Sequence, residues 1–326
     1  MSKKKPHQIS IGNIILSLVA LFFFAFAVYM IHHQLAQYTA TQIFHAVFSV
    51  PTQNFLLAVL AVIGSYIVLS FYDKLALTYI GKKLPPGKWL FAGGAAFAVS
   101  NNAGHAFISG TAIRYHLYKR WGFKISDILR MVAFSSVTYL VGCFCLFIIG
   151  YFLAPAKTLG AVSKPITLGV LTISIAGLTA YLLGTRLIKR KIKIKNVSVG
   201  FPTTKMGLAQ IAVGSLDVLF ASLVLFAVLN HAIDISFTAF IGLFLIAQVI
   251  GTFSQVPGGA GVFEAIFFYV TADTDEKKIP LIAALIAYRV LYYFLPLMVA
   301  ILAMGIYEIK ERISKRHKNR RFDRKA

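Results

Sequence analysis

Acidic residues are scarce in this 326-residue sequence, which has 11 aspartates and glutamates against 33 lysines and arginines. Charged residues of both signs make up only 13% of the chain, whereas 58% is hydrophobic and the mean hydropathy is +0.75. Such a chain has too few polar side chains to cover the surface of an ordinary soluble domain. The composition therefore excludes a soluble globular protein and favours one embedded in a membrane.

The residues and motifs of common enzyme chemistries are also missing. Only two cysteines occur, Cys143 and Cys145, and they lie in an apolar segment where cysteine behaves as a small buried side chain. The histidines do not show the spacing of metal ligands. A Walker loop, a Rossmann fingerprint, a Gly-x-Ser-x-Gly elbow and a His-Glu-x-x-His motif are all absent. We therefore expect no metal, no cofactor and no ATP-driven transport by this chain alone.

Several apolar stretches approach or exceed the roughly 18 to 20 residues that a helix needs to cross a bilayer. None of them alternates apolar and polar residues as the strands of a membrane barrel do. The sequence therefore predicts an all-α polytopic membrane protein with about six full spans. The predicted spans are residues 14–31, 55–72, 131–152, 165–185, 207–229 and 279–307.

Two further apolar segments, 89–113 and 237–271, are interrupted by residues that break helices. The first contains Asn101, Asn102 and several glycines, and the second contains Pro257 within a run of glycines. Proline removes a backbone donor and glycine releases the chain from helical geometry. A full crossing of the first segment would place the basic residues after it outside, and the second segment is too short for two full crossings. Each segment is therefore predicted to be a re-entrant hairpin.

The basic residues predict the orientation, because most of them flank apolar segments as the positive-inside rule requires. The N-terminus (1–13), the loop that contains Asp73 and Lys74, and the C-terminal tail (308–326) are therefore predicted to be cytoplasmic. Topology and attraction to anionic lipid headgroups explain the positive charge better than nucleic acid does. The sequence thus predicts a multi-pass membrane protein with both termini in the cytoplasm and with no nucleic-acid partner.

The order of spans and hairpins is the same in the two halves of the chain, 14–152 and 165–307, which an external loop (153–164) connects. Each half has two spans, a hairpin and a further span, and the halves have opposite orientations. The repeat is visible in hydropathy and in the positions of the breaks, not in residue identity. Such an inverted repeat is typical of transporters that expose a central site to alternate sides of the membrane.

Polar, charged and helix-breaking residues near the two hairpins form the candidate substrate site. If the hairpin tips meet near the midplane, their helix ends present backbone amides and carbonyls to a polar headgroup. Ionisable side chains at this depth are costly and commonly mark a functional site. The candidates are Asn101, Asn102, Arg114, Asp217, Gln255, Pro257, Gly258, Gly259, Gly261, Glu264 and Arg289.

Several of these candidates also have a structural explanation. The glycines could serve close helix packing. Glu264 and Arg289 could form an ion pair without a substrate, and Asp217 could pair with Arg114 or Arg289. The Arg114 side chain could reach the membrane interface instead of binding a phosphate.

Two motifs in this chain resemble a known family. They are Ser100–Tyr118, with Asn-Asn-x-Gly and Gly-Thr-Ala-Ile-Arg-Tyr, and the run Pro-Gly-Gly-Ala-Gly-Val-Phe-Glu that ends at Glu264. They resemble the N-terminal membrane domain of bacterial lysylphosphatidylglycerol synthase/flippase proteins of the MprF type and their stand-alone relatives. The resemblance implies movement of aminoacylated phospholipid between leaflets, with roles for Arg114, Glu264 and Arg289. Those proteins continue into a soluble aminoacyltransferase domain, whereas this chain ends soon after Tyr307, so lipid synthesis is not expected of it.

The leading hypothesis is therefore a phospholipid translocator of the bacterial cytoplasmic membrane, in which the two opposed hairpins build a central polar cavity for a headgroup. A membrane-embedded enzyme that modifies lipid is an alternative, with Glu264, Asp217 and His105 as its available acid or base groups. A non-catalytic assembly or regulatory membrane protein is a second alternative. The sequence leaves open which lipid is moved, in which direction and with what energy source, and it is compatible with a homo-oligomer.

Overall fold

A computed structural model describes residues 50–102, 106–153, 164–188, 192–194, 197–229, 235–253, 262–271 and 275–323, together with positions 39, 41, 44, 45 and 48. Within these residues the chain is helical except for connecting segments and one short pair of antiparallel β-strands. The predicted first span, 14–31, residues 103–105 of the first predicted hairpin and residues 254–261 of the second lie outside the described residues.

The elements follow one another along the chain in a nearly all-helical order. They are α1 (Thr52–Tyr79), α2 (Pro86–Asn102), α3 (Ala106–Arg120), α4 (Ile125–Leu153), α5 (Lys164–Leu187), β1 (Ile192–Ile194), β2 (Val197–Val199), α6 (Thr204–Leu229), α7 (Phe237–Phe253), α8 (Val262–Thr271), α9 (Asp275–Tyr288), a π-helical segment (Arg289–Phe294) and α10 (Leu295–Asp323). Helices α9 and α10 are continuous through the π-helical segment.

Five helices in the described part of the chain are long and apolar enough to cross a membrane: α1, α4, α5, α6 and the continuous helix of α9 and α10. They correspond to five of the six predicted spans, and they confirm an all-α polytopic membrane protein. Many large apolar side chains on these helices remain exposed, among them Leu60, Phe152, Ile173 and Leu302. Lipid tails cover such side chains in a membrane, so their exposure agrees with this class.

Helix α1 continues seven residues beyond the predicted end of its span, which corrects the prediction that Asp73 lies in a loop. The helix ends instead in a Schellman motif, in which the Lys82 N–H donates to the Leu77 carbonyl (2.9 Å) and the Gly81 N–H donates to the Thr78 carbonyl (3.1 Å). Gly81 has a φ of +73°, a conformation that glycine adopts without strain. Asp73 is therefore a buried helical residue and not a surface charge.

Two pairs of short helices correspond to the predicted hairpins. Helices α2 and α3 have 17 and 15 residues, and they pack against each other and, through α2, against α1. Helices α7 and α8 have 17 and 10 residues and also contact each other. At 1.5 Å per residue none of these helices reaches the roughly 30 Å thickness of the hydrocarbon core.

Helices α4 and α6 approach each other most closely where two glycines meet. A Cβ atom on Gly142 would lie 2.6 Å from the backbone nitrogen of Ser215, and one on Gly214 would lie 3.0 Å from the Cα of Gly142. The Ser215 hydroxyl donates to the Gly142 carbonyl across this contact (3.3 Å). The two backbones thus touch without intervening side chains, which is the usual role of small residues in membrane helices.

Replacing Gly142 by alanine should destabilise the protein by about 1 to 3 kcal/mol, because the new methyl group meets backbone atoms that cannot rotate away. The matched control is Gly169→Ala in the helix α5, where no described atom outside the neighbouring turns of the same helix lies within 4 Å of the added Cβ. That change should be neutral or slightly stabilising, since alanine is the better helix former. Thermal unfolding of both variants in detergent checks this, and equal melting temperatures would contradict the close contact.

Candidate functional site

An ion pair links α8 to the π-helical segment inside the membrane region. The Arg289 guanidinium donates from Nε (2.8 Å) and Nη2 (2.6 Å) to Oε1 of Glu264. The side chain of Arg289 is 8% exposed and that of Glu264 is 17% exposed. The guanidinium carbon also lies 4.8 Å from the ring centroid of Tyr293, a cation–π distance. The structure therefore pairs the two charges that the sequence placed in neighbouring apolar segments.

The π-helical segment begins at Arg289, and side chains from the first half of the protein bind its carbonyls. Pro296 has no N–H to donate to the carbonyl of Tyr292, and the Tyr66 hydroxyl donates to that carbonyl instead (3.2 Å). The Asn102 amide donates to the carbonyl of Tyr293 (3.1 Å) and to that of Ala98 (2.8 Å). Freed backbone groups in a membrane helix need such replacement donors, so Asn102 has a structural use in this conformation.

Asp217 lies on α6, and its side chain accepts hydrogen bonds from hydroxyl groups of α1. Tyr72 donates to its Oδ2 (2.8 Å) and Ser65 lies 3.5 Å from its Oδ1. The hydroxyls of Ser65 and Tyr292 are 3.1 Å apart. The residue is buried, with 4% of its surface exposed. A carboxyl group is thus held in the centre of the helix bundle by neutral partners, which distinguishes it from the acids that are paired with an arginine.

A group of tyrosine rings lies between the Asp217 cluster and the Arg289 pair. Tyr288 and Tyr292 are stacked with their centroids 5.4 Å apart and their planes at 10°. Tyr293, the residue under the Arg289 guanidinium, lies 5.3 Å from Tyr292 edge-to-face. These rings connect the two polar clusters across one turn of helix, and their hydroxyls and π faces can contact a polar or cationic group.

Arg114 lies in a separate buried cluster with Asp73. Its Nε donates to Oδ1 of Asp73 (2.8 Å), and the Tyr118 hydroxyl donates to Oδ2 (2.8 Å). The guanidinium carbon stacks 4.7 Å from the ring centroid of Phe97. Asp73 is 0% exposed and Arg114 is 4% exposed. The arginine that the sequence suggested for a phosphate or for the membrane interface is therefore paired inside the protein.

The structure brings the candidate residues together in groups that differ partly from those expected. Asp217 pairs with neither Arg114 nor Arg289, because each arginine has its own carboxylate. Asn101 is half-buried on α2 beside the buried Asn102. Five candidates lie outside the described residues: Gln255, Pro257, Gly258, Gly259 and Gly261.

Sequence reasoning missed Asp73 and the hydroxyl groups around Asp217. Asp73 lies beside Lys74 at the end of an apolar stretch, a position that is typical of a loop. A single acid within an otherwise basic flank could nevertheless have indicated a buried partner for a basic residue. Ser65 and Tyr72 are seven residues apart and therefore share one face of α1. Their spacing could have indicated a polar stripe on that helix.

Metal binding has no support in the part of the chain that the structure describes. Within those residues no group of three or more histidine, cysteine, aspartate or glutamate side chains could hold a metal ion. Both cysteines are free thiols in the helix α4, with Cys143 buried and Cys145 half-buried. The site is therefore a set of ion pairs, amides and tyrosines.

A bundle of membrane-spanning helices with charged and tyrosine-rich clusters between them defines a multi-pass membrane protein. The uncharacterized protein slr0712 of Synechocystis is 34% identical over 249 residues, which are 75% of this chain and 76% of that protein. The inner membrane protein YbhN of Escherichia coli is 31% identical over 260 residues, which are 77% of this chain and 79% of that protein. The chain belongs to this family of YbhN-like, multi-pass inner membrane proteins. No protein-family model matches it.

Phosphatidylglycerol lysyltransferases are also similar to this chain. The Staphylococcus aureus protein is 23% identical over 241 residues, which are 73% of this chain and 28% of that protein. The Staphylococcus epidermidis protein is 37% identical over 82 residues, which are 25% of this chain and 10% of that protein. The similarity falls on the membrane domain of those proteins. It confirms the predicted relationship to the membrane domain of MprF-type proteins.

Proposed function

We propose that this protein moves a phospholipid between the leaflets of the bacterial cytoplasmic membrane. The observation that carries the proposal is the buried Glu264–Arg289 pair next to the π-helical segment. A phospholipid headgroup carries a phosphate and often a cationic amine, so it offers a partner for each member of the pair. The relationship to phosphatidylglycerol lysyltransferases, whose name includes an anionic phospholipid, supports the same substrate class.

The proposed transport cycle is an exchange of partners. In the present conformation Glu264 and Arg289 neutralise each other, which keeps two charges tolerable in the membrane interior. An entering headgroup would bind its phosphate to Arg289 and a cationic or proton-carrying group to Glu264. Ionic contacts would then remain satisfied while the headgroup crosses, so the largest cost of leaflet exchange is reduced.

The packing of the two halves supports an inverted repeat with two re-entrant hairpins. The equivalent spans α1 and α6 pack against each other at the centre. The last span of the first half, α4, contacts α7 of the second hairpin, and the last span of the second half, α10, contacts α2 of the first hairpin. This reciprocal arrangement is what a two-fold relation between halves requires. In the proposed orientation both termini are cytoplasmic.

We assign no bond-making step to this chain. The three acids of the clusters described above already have partners: Asp73 is bound to Arg114, Glu264 to Arg289 and Asp217 to hydroxyl groups. An enzyme that modifies lipid would need one of these groups to act as a base or nucleophile. Their present bonds fit ion pairing and hydrogen bonding within the protein better.

Leaflet exchange in reconstituted vesicles tests the proposed function. Vesicles that contain the purified protein and fluorescent phosphatidylglycerol are treated with a reductant that cannot cross the membrane, and the fraction of label that remains protected is measured. We expect this fraction to fall below that of protein-free vesicles, with the lipid recovered unaltered. Recovery of altered lipid would favour an enzyme, and an unchanged protected fraction with unaltered lipid would favour an assembly or regulatory protein.

Replacing Asp217 by asparagine should slow leaflet exchange by roughly tenfold while the protein keeps its fold. Asparagine retains the shape and an oxygen acceptor for Tyr72, but it cannot carry a charge or take up a proton. The control is Ser65→Ala, which removes the longer contact to Asp217 (3.5 Å) and the contact to the Tyr292 hydroxyl (3.1 Å) but keeps the carboxylate, so it should change the rate less than about twofold. Equal rates in Asp217→Asn and the unmodified protein would show that Asp217 is only a packing residue.

A further inference from the structure

A cavity of about 600 Å³ opens between the loop before α2, the turn after α3 and helix α10. Three basic side chains line it, those of Lys83, Lys88 and Arg120, against one acidic side chain, that of Glu311. Both lysines are on exposed surface. Because Arg120 also pairs with Glu308, the two lysines supply most of the attraction that an anion would feel. The cavity is thus a positively charged pocket at the end of the bundle that is predicted to be cytoplasmic.

Aromatic side chains in the wall of this pocket place it at the depth of lipid headgroups. Trp121 donates its indole N–H to the Tyr307 hydroxyl (3.1 Å), and both residues line the cavity. The ammonium of Lys88 lies 5.3 Å from the centroid of the Trp121 ring. Tryptophan and tyrosine concentrate at membrane–water interfaces because their rings are apolar and their polar atoms need water or headgroups. A free anion in the cytosol does not require such a wall, whereas a lipid headgroup fits it.

An apolar groove of about 400 Å³ lies farther along α2 and α10, where α1 forms its third side. Gly94, which has no side chain, and Ala303 line it and leave room beside larger apolar residues. Phe91 lines the groove and packs 5.4 Å from the ring of Tyr307, which lines the charged pocket. On α2, Lys88 and Gly94 are six residues apart, a rise of about 9 Å. The pocket and the groove therefore lie end to end, as a headgroup and its acyl chain do.

We propose that the pocket and the groove together bind one anionic phospholipid of the cytoplasmic leaflet. Its phosphate lies beside Lys83, Lys88 and Arg120, and one acyl chain lies in the groove that Gly94 and Ala303 keep open. Basic pockets between membrane helices are suited to anionic headgroups. This binding does not depend on leaflet exchange and leaves the Glu264–Arg289 pair untouched.

Quenching of tryptophan fluorescence tests this site, because the chain has only two tryptophans. In the full-length Trp89→Phe protein, purified in detergent, Trp121 in the pocket wall is the remaining fluorophore. Phosphatidylglycerol with brominated acyl chains is titrated, and phosphatidylcholine with the same chains serves as the zwitterionic comparison. We expect saturable quenching at lower concentrations of phosphatidylglycerol, and equal affinity for the two lipids would overturn the proposal.

Two matched double variants separate the pocket from general surface charge. Lys83→Gln with Lys88→Gln should weaken phosphatidylglycerol binding by roughly thirty-fold. Lys124→Gln with Lys205→Gln removes the same charge from exposed positions that do not line the pocket, and it should change the affinity less than about twofold. All four substitutions are on exposed surface, so melting temperatures should stay close to that of the unmodified protein. Equal weakening by both pairs would mean that only net charge attracts the lipid.

A substitution in the groove distinguishes a lipid from a free phosphate ester. Ala303→Phe fills the groove without changing charge, so it should weaken phosphatidylglycerol binding at least about tenfold. Glycerol phosphate, added as a competitor of lipid binding, should compete equally well in this variant and in the parent protein. If Ala303→Phe leaves lipid affinity unchanged, the acyl chain does not occupy the groove and the proposed lipid site is wrong.

Discussion

The variant in which Glu264 and Arg289 exchange places should reach the membrane at near-normal abundance and yet fail to move lipid. The exchange, Glu264→Arg with Arg289→Glu, keeps an ion pair between α8 and the π-helical segment. It reverses the charge that each position offers to a headgroup, so a phosphate now meets a carboxylate. The single variants Glu264→Gln and Arg289→Gln should each lose about 3 to 5 kcal/mol of stability, because each leaves one buried polar or charged partner uncompensated.

Abundance and leaflet exchange must therefore be measured side by side for the three variants. Low abundance in the singles with recovery in the exchanged variant identifies the ion pair as a requirement of folding. Transport that stays at the protein-free level in the exchanged variant identifies the positions as contacts for the headgroup. Full recovery of transport in the exchanged variant would contradict the proposed function, because the pair would then be part of the scaffold alone.

Removing the carboxylate of Asp73 should produce the second large effect, this time on stability. Asp73→Asn leaves the buried Arg114 guanidinium without a counter-charge, at a cost of about 3 to 5 kcal/mol. Combining it with Arg114→Met should recover most of the lost stability, since an apolar side chain of similar length fills the space without a charge. Thermal unfolding and membrane abundance of the single and double variants measure both steps.

The control for this prediction is an ion pair in which only the basic residue reaches the surface. Lys82→Gln removes a contact to Asp127 in which the lysine side chain is 36% exposed and the aspartate side chain is 6% exposed, and Arg130 still pairs with the same carboxylate. Because the carboxylate keeps a counter-charge and the lysine is partly hydrated, the change should cost about 1 kcal/mol or less, and this variant should unfold close to the unmodified protein. A stable Asp73→Asn variant, or a double variant no better than the single one, would show that Arg114 obtains its compensation from elsewhere.

The two buried pairs differ in the contacts around them. The Asp73 carboxylate accepts a second hydrogen bond from Tyr118, and the guanidinium of Arg114 is stacked on Phe97. The cluster therefore connects the helices α1, α2 and α3. Arg289 instead begins a π-helical segment, and π-helical turns within longer helices are frequent at functional sites. We therefore expect Asp73 and Arg114 to contribute to stability, and we propose Glu264 and Arg289 as the contacts for the headgroup.

The amino-acid sequence by itself determined the class of the protein and most of its span positions. An uninterrupted apolar run that is long enough to cross a bilayer has few alternatives to a transmembrane helix, because its backbone must form its own hydrogen bonds in lipid. The helix breaks near Asn102 and after Phe253 followed from the same rule, since glycine and proline cannot continue a helix without cost. Glu264, Arg289 and Asp217 were identifiable because charge is rare in such runs.

The tertiary structure alone decided which of these groups are partners. Arg114 is 41 residues from Asp73 and Asp217 is 145 residues from Tyr72, and local periodicity contains no information about contacts between such distant helices. The π-helical segment was also not predictable, because its carbonyls are bound by Tyr66 and Asn102 from other helices. A span is determined by the exchange of water for lipid along one segment, whereas a polar cluster depends on which helix faces come together in the folded bundle.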